Sequence, residues 1–436
     1  MKFAYIKTLG CEKNTVDSEC AEALFIQAGC AITEDPEEAD FLMVNTCGFI
    51  LDAKQQSIES IFDLIANKKG DQILIVSGCL SQRYTKELVK ELPEVDYFLG
   101  VDDYGKIEDI VKRETVSKAL TGACSRTFVE LPRNIKNQYS AYIKISEGCN
   151  NICSYCAIPF MRGRFRSRSE DAIIKEAEAL ASSGVKELMI IGQDVTAYGI
   201  DRKEKDGLAK LLRKLCRIDG IEWIRLLYCY EDEISDELIR CIKEEEKICK
   251  YIDIPIQHCN DGILKSMNRK STRSSIISTV NKLRREIPDI IIRTTLIVGL
   301  PGEKKEEFNE LYEFVKDMEF DRLGCFSYSK EEGTKASKMK PQARSDVKER
   351  RKDRIMELQR QISLKHNSDL IGKVFKVLIE DEEEPGVYVG RTYMDSPEID
   401  NSVIFKGPKS LDPGTFVNVM INDAFDYDLT GEMLNE

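Results

Sequence analysis

Two hydrophobic periodicities alternate along the first 110 residues. Short apolar runs at 3–8, 41–45, 73–77 and, more weakly, 97–100 read as strands. Helical spacing covers 17–28, 52–67 and 85–91. This order predicts a small parallel sheet with helices on its faces, assigned to a first domain over 1–115. Residues 116–138 carry little periodicity and read as a linker. The alternation resumes over 139–366, with strand candidates at 141–145, 187–191, 223–227, 251–255, 291–298 and 323–328 and helical patterns between them. Six such units fit a partial parallel barrel, and they also fit an open doubly wound sheet. A charged helix over 345–366 leads out. From 367 to 436 the pattern becomes short β-branched runs at 374–379, 387–390, 402–405 and 416–421, broken by Pro, Gly and Asp, which predicts a small antiparallel barrel. The fold class expected is multidomain α/β.

A chain of 436 residues exceeds one ordinary core, in keeping with that division. No apolar run approaches the ~20 residues that span a bilayer, so no membrane partner is expected. The first seven residues read as a strand rather than a secretion signal, which places the protein in the cytoplasm. Fifteen cysteines in such a chain argue against a disulfide framework and leave packing, ligation or redox roles. The net charge of −12 disfavours direct nucleic-acid binding, although a local basic patch can still bind it. Residues 371–436 hold five Lys and Arg against fourteen Asp and Glu, a net −9, so most of the excess lies there.

The sharpest chemical signal follows the first strand of the second region. Cys149, Cys153 and Cys156 have C-x3-C-x2-C spacing on one loop. Three thiolates can hold three irons of a [4Fe–4S] cluster and leave the fourth open to chelate a small molecule. Structural zinc is the rival, and it wants a fourth ligand that is not close in sequence. The loop begins at the carboxyl end of a parallel strand, where such folds place their chemistry. Gln193 and Asp194 end another strand and offer an amide and a carboxylate to ribose hydroxyls. Arg293, Thr294 and the glycine turn at Gly299 end a later one. Ordinary turns and helix caps explain each of these equally well, and half-buried packing equally explains Tyr228 and Tyr230. His258 is a pocket or a structural histidine; His366 reads as surface.

Cys11, Cys47 and Cys79 are 36 and 32 residues apart, too far for spacing to connect them. Each nonetheless stands beside glycine just past the end of a predicted strand. Loops at that edge converge on a common crevice, so three thiolates there could hold a second cluster. The alternative is buried core thiols. The remaining cysteines read as packing residues, with Cys229 and Cys325 nearest the pocket.

These residues carry a family resemblance. The Cys149 loop, with aromatic Tyr155 before its last cysteine, resembles the radical S-adenosylmethionine superfamily. Gly10-Cys11, Asn45-Thr46-Cys47-Gly48 and Gly78-Cys79, followed by that loop and a TRAM-type β-domain, resemble the methylthiotransferases. The resemblance implies two [4Fe–4S] clusters on the two cysteine triplets. It also implies two molecules of S-adenosylmethionine, one donating methyl and one supplying a radical, and a C–H bond converted to C–S–CH3. Within the family, Cys11-Glu12-Lys13-Asn14, Gly78 to Tyr84, Asp194 to Gly199 and Phe320 to Gly324 resemble the branch that modifies an aspartate β-carbon in small-subunit ribosomal protein number twelve. The sister branch modifies tRNA adenosine. Glu12 departs from the proline more usual in the branch. An acidic tail, to which 397–400 adds, complements a basic ribosomal protein rather than phosphate. The implied electron donor is a flavodoxin or ferredoxin. A non-catalytic iron–sulfur or zinc module is the alternative of a different class.

Overall fold

The first sheet of the computed structural model is parallel throughout, in the order Cys30–Ile32, Lys2–Thr8, Phe41–Thr46, Ile73–Ser77, Tyr97–Leu99, Ala119–Leu120. The structure describes residues 1–136 and 138–434; position 137, within the expected linker, and 435–436, at the end of the expected tail domain, lie outside the described residues. Phe41–Thr46 is buried along its whole length, as a central parallel strand covered on both faces must be. From Lys2–Thr8 the chain goes outward to Cys30–Ile32 and then returns to Phe41–Thr46 on the other side. The strand order therefore reverses between Lys2–Thr8 and Phe41–Thr46, and ligand crevices open at such a switch point. Cys11 follows one of these two strands and Cys47 the other.

The second sheet decides between the two architectures that the pattern left open. Its six parallel strands lie in chain order: Ser140–Lys144, Glu187–Ile191, Trp223–Leu226, Ile248–Asp253, Ile291–Val298, Arg322–Ser327. No reversal occurs, so the sheet is singly wound, and its edge strands do not pair: it is a partial barrel. Ile143, Leu188, Leu226 and Ile292 pack outward under helical Leu212, Phe308 and Leu311. Along Ile291–Val298 the positions alternate strictly, with Ile292, Thr294, Leu296 and Val298 buried and Arg293, Thr295 and Ile297 half-buried.

The tail is a closed barrel of five strands, Val374–Glu384, Val387–Arg391, Val403–Lys406, Leu429–Met433 and Phe416–Ala424, around Val377, Tyr388, Phe405 and Val419. The expectation of an antiparallel barrel needs one amendment, because Val403–Lys406 and Leu429–Met433 run parallel. The tail docks on the partial barrel through buried charge. Glu187 bonds Arg225 Nε at 2.9 Å and also pairs with Arg391 of the tail; all three side chains are essentially inaccessible. Part of the tail's acidity is therefore internal. Asp395 pairs with Arg322, and Asp400 accepts from Tyr251 Oη at 2.7 Å. This corrects the assignment of 397–400 to an acidic outer face: the Asp400 carboxylate is covered, and Glu398 is the exposed acid of that segment.

Candidate active site

The three separated cysteines of the first region are brought to one sheet edge. Cys11 caps the helix Glu12–Gln27, and Cys79 is the second residue of the helix Gly78–Glu91. Both stand at helix N-termini, where the helix dipole favours negative charge. The Cys47 amide donates to Ser57 Oγ on the helix Leu51–Asn67. Asn14 stitches the loops together: its Nδ2 donates to Leu9 O at 2.6 Å and to Thr46 O at 3.1 Å, and its Oδ1 lies 4.0 Å from the Cys79 sulfur. The approach is close enough to require glycine. Gly10 has φ +96°, and a Cβ there would stand 2.8 Å from Cys47 Cβ and 3.2 Å from its sulfur. Burial pushes the Cys79 thiol up to about 12 against the pull of Arg162, and it raises Cys47 too.

The C-x3-C-x2-C loop is wired differently. Cys149 Sγ accepts from the Asn151 amide at 3.4 Å, and Cys156 Sγ from the Ile158 amide at 3.5 Å. Cys153 Sγ is 3.1 Å from Tyr230 Oη, and Arg269 stacks on the Tyr230 ring at 4.2 Å. Asn151 Nδ2 donates to Asp194 at 2.6 Å, and Asp194 also accepts from Thr196 Oγ1 at 2.7 Å. Asp194 thus anchors the loop. Gln193 Nε2 donates to Glu147 at 2.7 Å, whereas its Oε1 is buried with no partner, an acceptor left for a ligand hydroxyl. Tyr155 packs on the barrel core beside Cys153. Burial pushes Cys149 up to about 12 and raises Cys156 further.

Three sequence-singled residues are not brought to this loop. Arg293 pairs with Asp253 at 3.1 Å and with Asp400 of the tail at 3.3 Å. Thr294 sits on the helix-covered face and donates to Ile254 O at 2.8 Å. Gly299 donates its amide to Glu303 at 2.7 Å, and the group it approaches is Lys348, whose Cγ a Cβ would meet at 2.4 Å, not a ligand pocket. His258 is fully buried and held neutral, pushed down to about 3 by burial. Cys229 and Cys325 belong to the apolar core.

One fully buried side chain reaches from the segment after the Cys149 loop to the other cysteine set. Arg162 lies on the short helix Ile158–Arg162, just after the Cys149 loop. Its Nε donates to the Cys79 sulfur at 3.3 Å, Nη2 to Asn14 at 2.6 Å, and Nη1 to Asp17 at 2.7 Å and Glu147 at 3.2 Å. Glu147 is the same carboxylate that holds Gln193.

With that geometry in place, family models divide the chain in three. Residues 3–100 match Uncharacterized protein family UPF0004, 143–315 the Radical SAM superfamily, and 371–434 the TRAM domain. Relatives named "Ribosomal protein uS12 methylthiotransferase RimO" match along the full length. The relative from Thermoanaerobacter sp. (strain X514) is 48% identical over 99% of this chain and 100% of its own. That from Caldanaerobacter subterraneus subsp. tengcongensis is 49% identical with the same coverage. The chain belongs to the RimO family of radical SAM methylthiotransferases. In fold it resembles the radical S-adenosylmethionine methyltransferase TsrM from Kitasatospora setae, with a TM-score of 0.55 at 13% identity over 75% of each chain.

Membership of the radical SAM superfamily carries a [4Fe–4S] cluster and S-adenosylmethionine with it. The donor chemistry fits. The buried thiols carry sulfur-directed N–H donors, and burial keeps Cys79 and Cys149 protonated at neutral pH unless a cation takes the proton's place. Among the described residues no three His, Cys, Asp or Glu side chains are placed around one metal ion. A cubane asks for something else, because each thiolate takes its own iron. No described disulfide competes, since all fifteen cysteines are free.

Several residues of this site gave no pattern of their own in the sequence. Arg162 and Glu147 belong to no spacing pattern. Asn14 and Asn151 lie beside cysteines that were singled out, and that proximity was the available clue. Among the described residues no helix is long and apolar enough to cross a membrane.

Proposed function

We propose that this chain replaces a hydrogen on the β-carbon of an aspartate in small-subunit ribosomal protein uS12 with a methylthio group. It uses S-adenosylmethionine and two [4Fe–4S] clusters, one on Cys149, Cys153 and Cys156 and one on Cys11, Cys47 and Cys79. When bound, the first supplies the electron that cleaves S-adenosylmethionine and the second carries the sulfur to be transferred. The protein's own residues organise that chemistry. Asn151 and Asp194 fix the first loop, and Tyr230 covers Cys153. Gln193 Oε1 offers its free lone pairs to a hydroxyl of the nucleoside. Arg162 holds the two cysteine sets in one frame through Cys79 and Glu147. Arg293, Thr294 and Gly299 support the barrel through Asp253, Asp400, Ile254 and Glu303.

The observation that carries this reading is the pair of three-cysteine sets, each at strand ends and joined through Arg162. A single set suffices to make a radical; a second gives it somewhere to find sulfur. Domains 1–115, 139–366 and 367–436 then divide the work into sulfur carriage, radical generation and docking. Asp381 to Glu384 of the tail are exposed, which suits a basic ribosomal protein better than phosphate. A flavodoxin or ferredoxin in the cytoplasm provides electrons. Mass spectrometry of uS12 from cells with and without this gene tests the reading. A shift of one methylthio group that depends on the gene is expected; an unshifted uS12 in both overturns it.

A further inference from the structure

Two lysines are buried among the described residues, Lys13 and Lys144, and they differ in one respect. Lys144 pairs with Asp17 and Glu147. Lys13 is 5% exposed, and its one ion-pair neighbour is Glu12 Oε2 at 3.7 Å, beyond hydrogen-bond reach. That oxygen is already engaged by Tyr228 Oη at 2.8 Å. The ammonium instead lies over the Tyr228 ring, 3.0 Å from its centroid. Burial disfavours this charge, while the nearby Cys11, Glu12 and Asp253 favour it and the ring face adds to them.

The backbone around this ammonium is also unusual. Tyr228 stands two residues past the strand Trp223–Leu226, with φ +63°. A bulky residue holds that conformation only where its surroundings demand it, and such strain gathers at ligand sites. Lys13 itself is two residues from Cys11. Its ammonium therefore lies between the sulfur-carrying cysteine set and the mouth of the radical-generating barrel. A substrate C–H bond must enter that same gap to meet both.

We propose that Lys13 binds the side-chain carboxylate of the substrate aspartate and so selects aspartate over asparagine. This rests on the uS12 reading above. The carboxylate is bonded directly to the β-carbon, so fixing it on Lys13 fixes the reacting carbon beside Cys11. Glu12, held by Tyr228, flanks the ammonium at 3.7 Å without hydrogen-bonding it. Lys13 is in this reading a specificity residue, distinct from the thiolates that hold iron.

The test uses anaerobically reconstituted enzyme with S-adenosylmethionine and two labelled uS12 peptides, one with the substrate aspartate and one with asparagine in its place. Binding is read by fluorescence anisotropy and modification by mass spectrometry. Wild type binds the aspartate peptide about thirtyfold tighter, the worth of one charge-assisted contact. In Lys13→Met, and in Lys13→Gln as a second neutral replacement, iron content stays at the wild-type value and the preference falls to about onefold. A preference kept in both variants overturns the proposal. Loss of iron from both also overturns it, because Lys13 is then a structural support for Cys11. Wild type that modifies the aspartate peptide yet binds both equally overturns the Lys13 proposal alone. Wild type that leaves the aspartate peptide unmodified overturns the uS12 reading and Lys13 with it.

Discussion

Arg162 donates from Nε to the Cys79 sulfur across 3.3 Å, although the two residues lie 83 positions apart and on different sheets' loops. The guanidinium is fully buried, and its remaining donors reach Asn14, Asp17 and Glu147. Its planar fork suits this multiple engagement in a way that a lysine ammonium does not. The contact ties the segment after the Cys149 loop to the Cys79 sulfur.

Arg162→Leu should leave Asp17 and Glu147 buried with Lys144 as their remaining cation. Removing one partner of a buried ion network costs about 3–5 kcal/mol. Urea unfolding of the reconstituted variant should show a loss of that order. Loss of the N–H···S bond should also lower the reduction potential of the Cys79 cluster, measured by redox titration followed by electron paramagnetic resonance. An unchanged potential would mean that the bond is packing only.

Gly10→Ala should selectively empty the first cysteine set. The new Cβ would lie 2.8 Å from Cys47 Cβ, and the φ of +96° is unfavourable for alanine by about 1–2 kcal/mol. Iron per chain should fall from about eight to about four, the content of one cluster, with cleavage of S-adenosylmethionine retained. Full iron content would show that the loops yield without losing the ligand geometry.

The cysteine positions were legible because strand ends are legible: an apolar run followed by glycine marks a turn at the carboxyl edge. What surrounds them was not. The first helix begins at Glu12, five residues before its apolar spacing, since Lys13, Asn14, Asp17, Ser18, Glu19 and Glu22 are all buried. Asp17, Glu19 and Glu22 face the barrel and its linker, and Asn14 and Ser18 bond the strand ends of their own sheet, so a hydrophobic period cannot show the faces they form. The same limit applies at Arg293 and Gly299. Strand-end position identified the segments, but Asp400 and Lys348, which engage them, come from about 107 and 49 residues away, and no local pattern connects them. The two-residue strand Ala119–Leu120 is too short to carry any period.

Acid should loosen the tail from the barrel through Glu187. Burial pushes this carboxyl up, but Arg391 and Arg225 pull it further down, from its ordinary 4.5 to about 2. A folded value below the unfolded one means that the contribution, about 3 kcal/mol, is complete above pH 4.5 and is lost as pH falls toward 2. Thermal melts between pH 5 and 3 should show the wild type losing more stability than Glu187→Gln, which starts lower and lacks this titration. Parallel profiles would place the acid sensitivity elsewhere.

Cys149→Ala and Cys47→Ala should separate the two halves of the reaction. Cys149 accepts the Asn151 amide inside the radical-generating loop, and losing its thiolate removes one of three iron attachments there. Cleavage of S-adenosylmethionine to 5′-deoxyadenosine should fall below detection, and sulfur insertion should fall with it. Cys47 lies in the other set, against Gly10 and Ser57, and no hydrogen bond connects its sulfur to the first loop among the described residues. Its variant should therefore still form 5′-deoxyadenosine at close to the wild-type rate while transferring no methylthio group. Both products are quantified in one anaerobic reaction by liquid chromatography and mass spectrometry. Insertion retained by Cys47→Ala would sink the assignment of sulfur to Cys11, Cys47 and Cys79. Cleavage lost from both variants would mean that the sets function as one unit, with the Arg162 bond to Cys79 among the contacts that couple them.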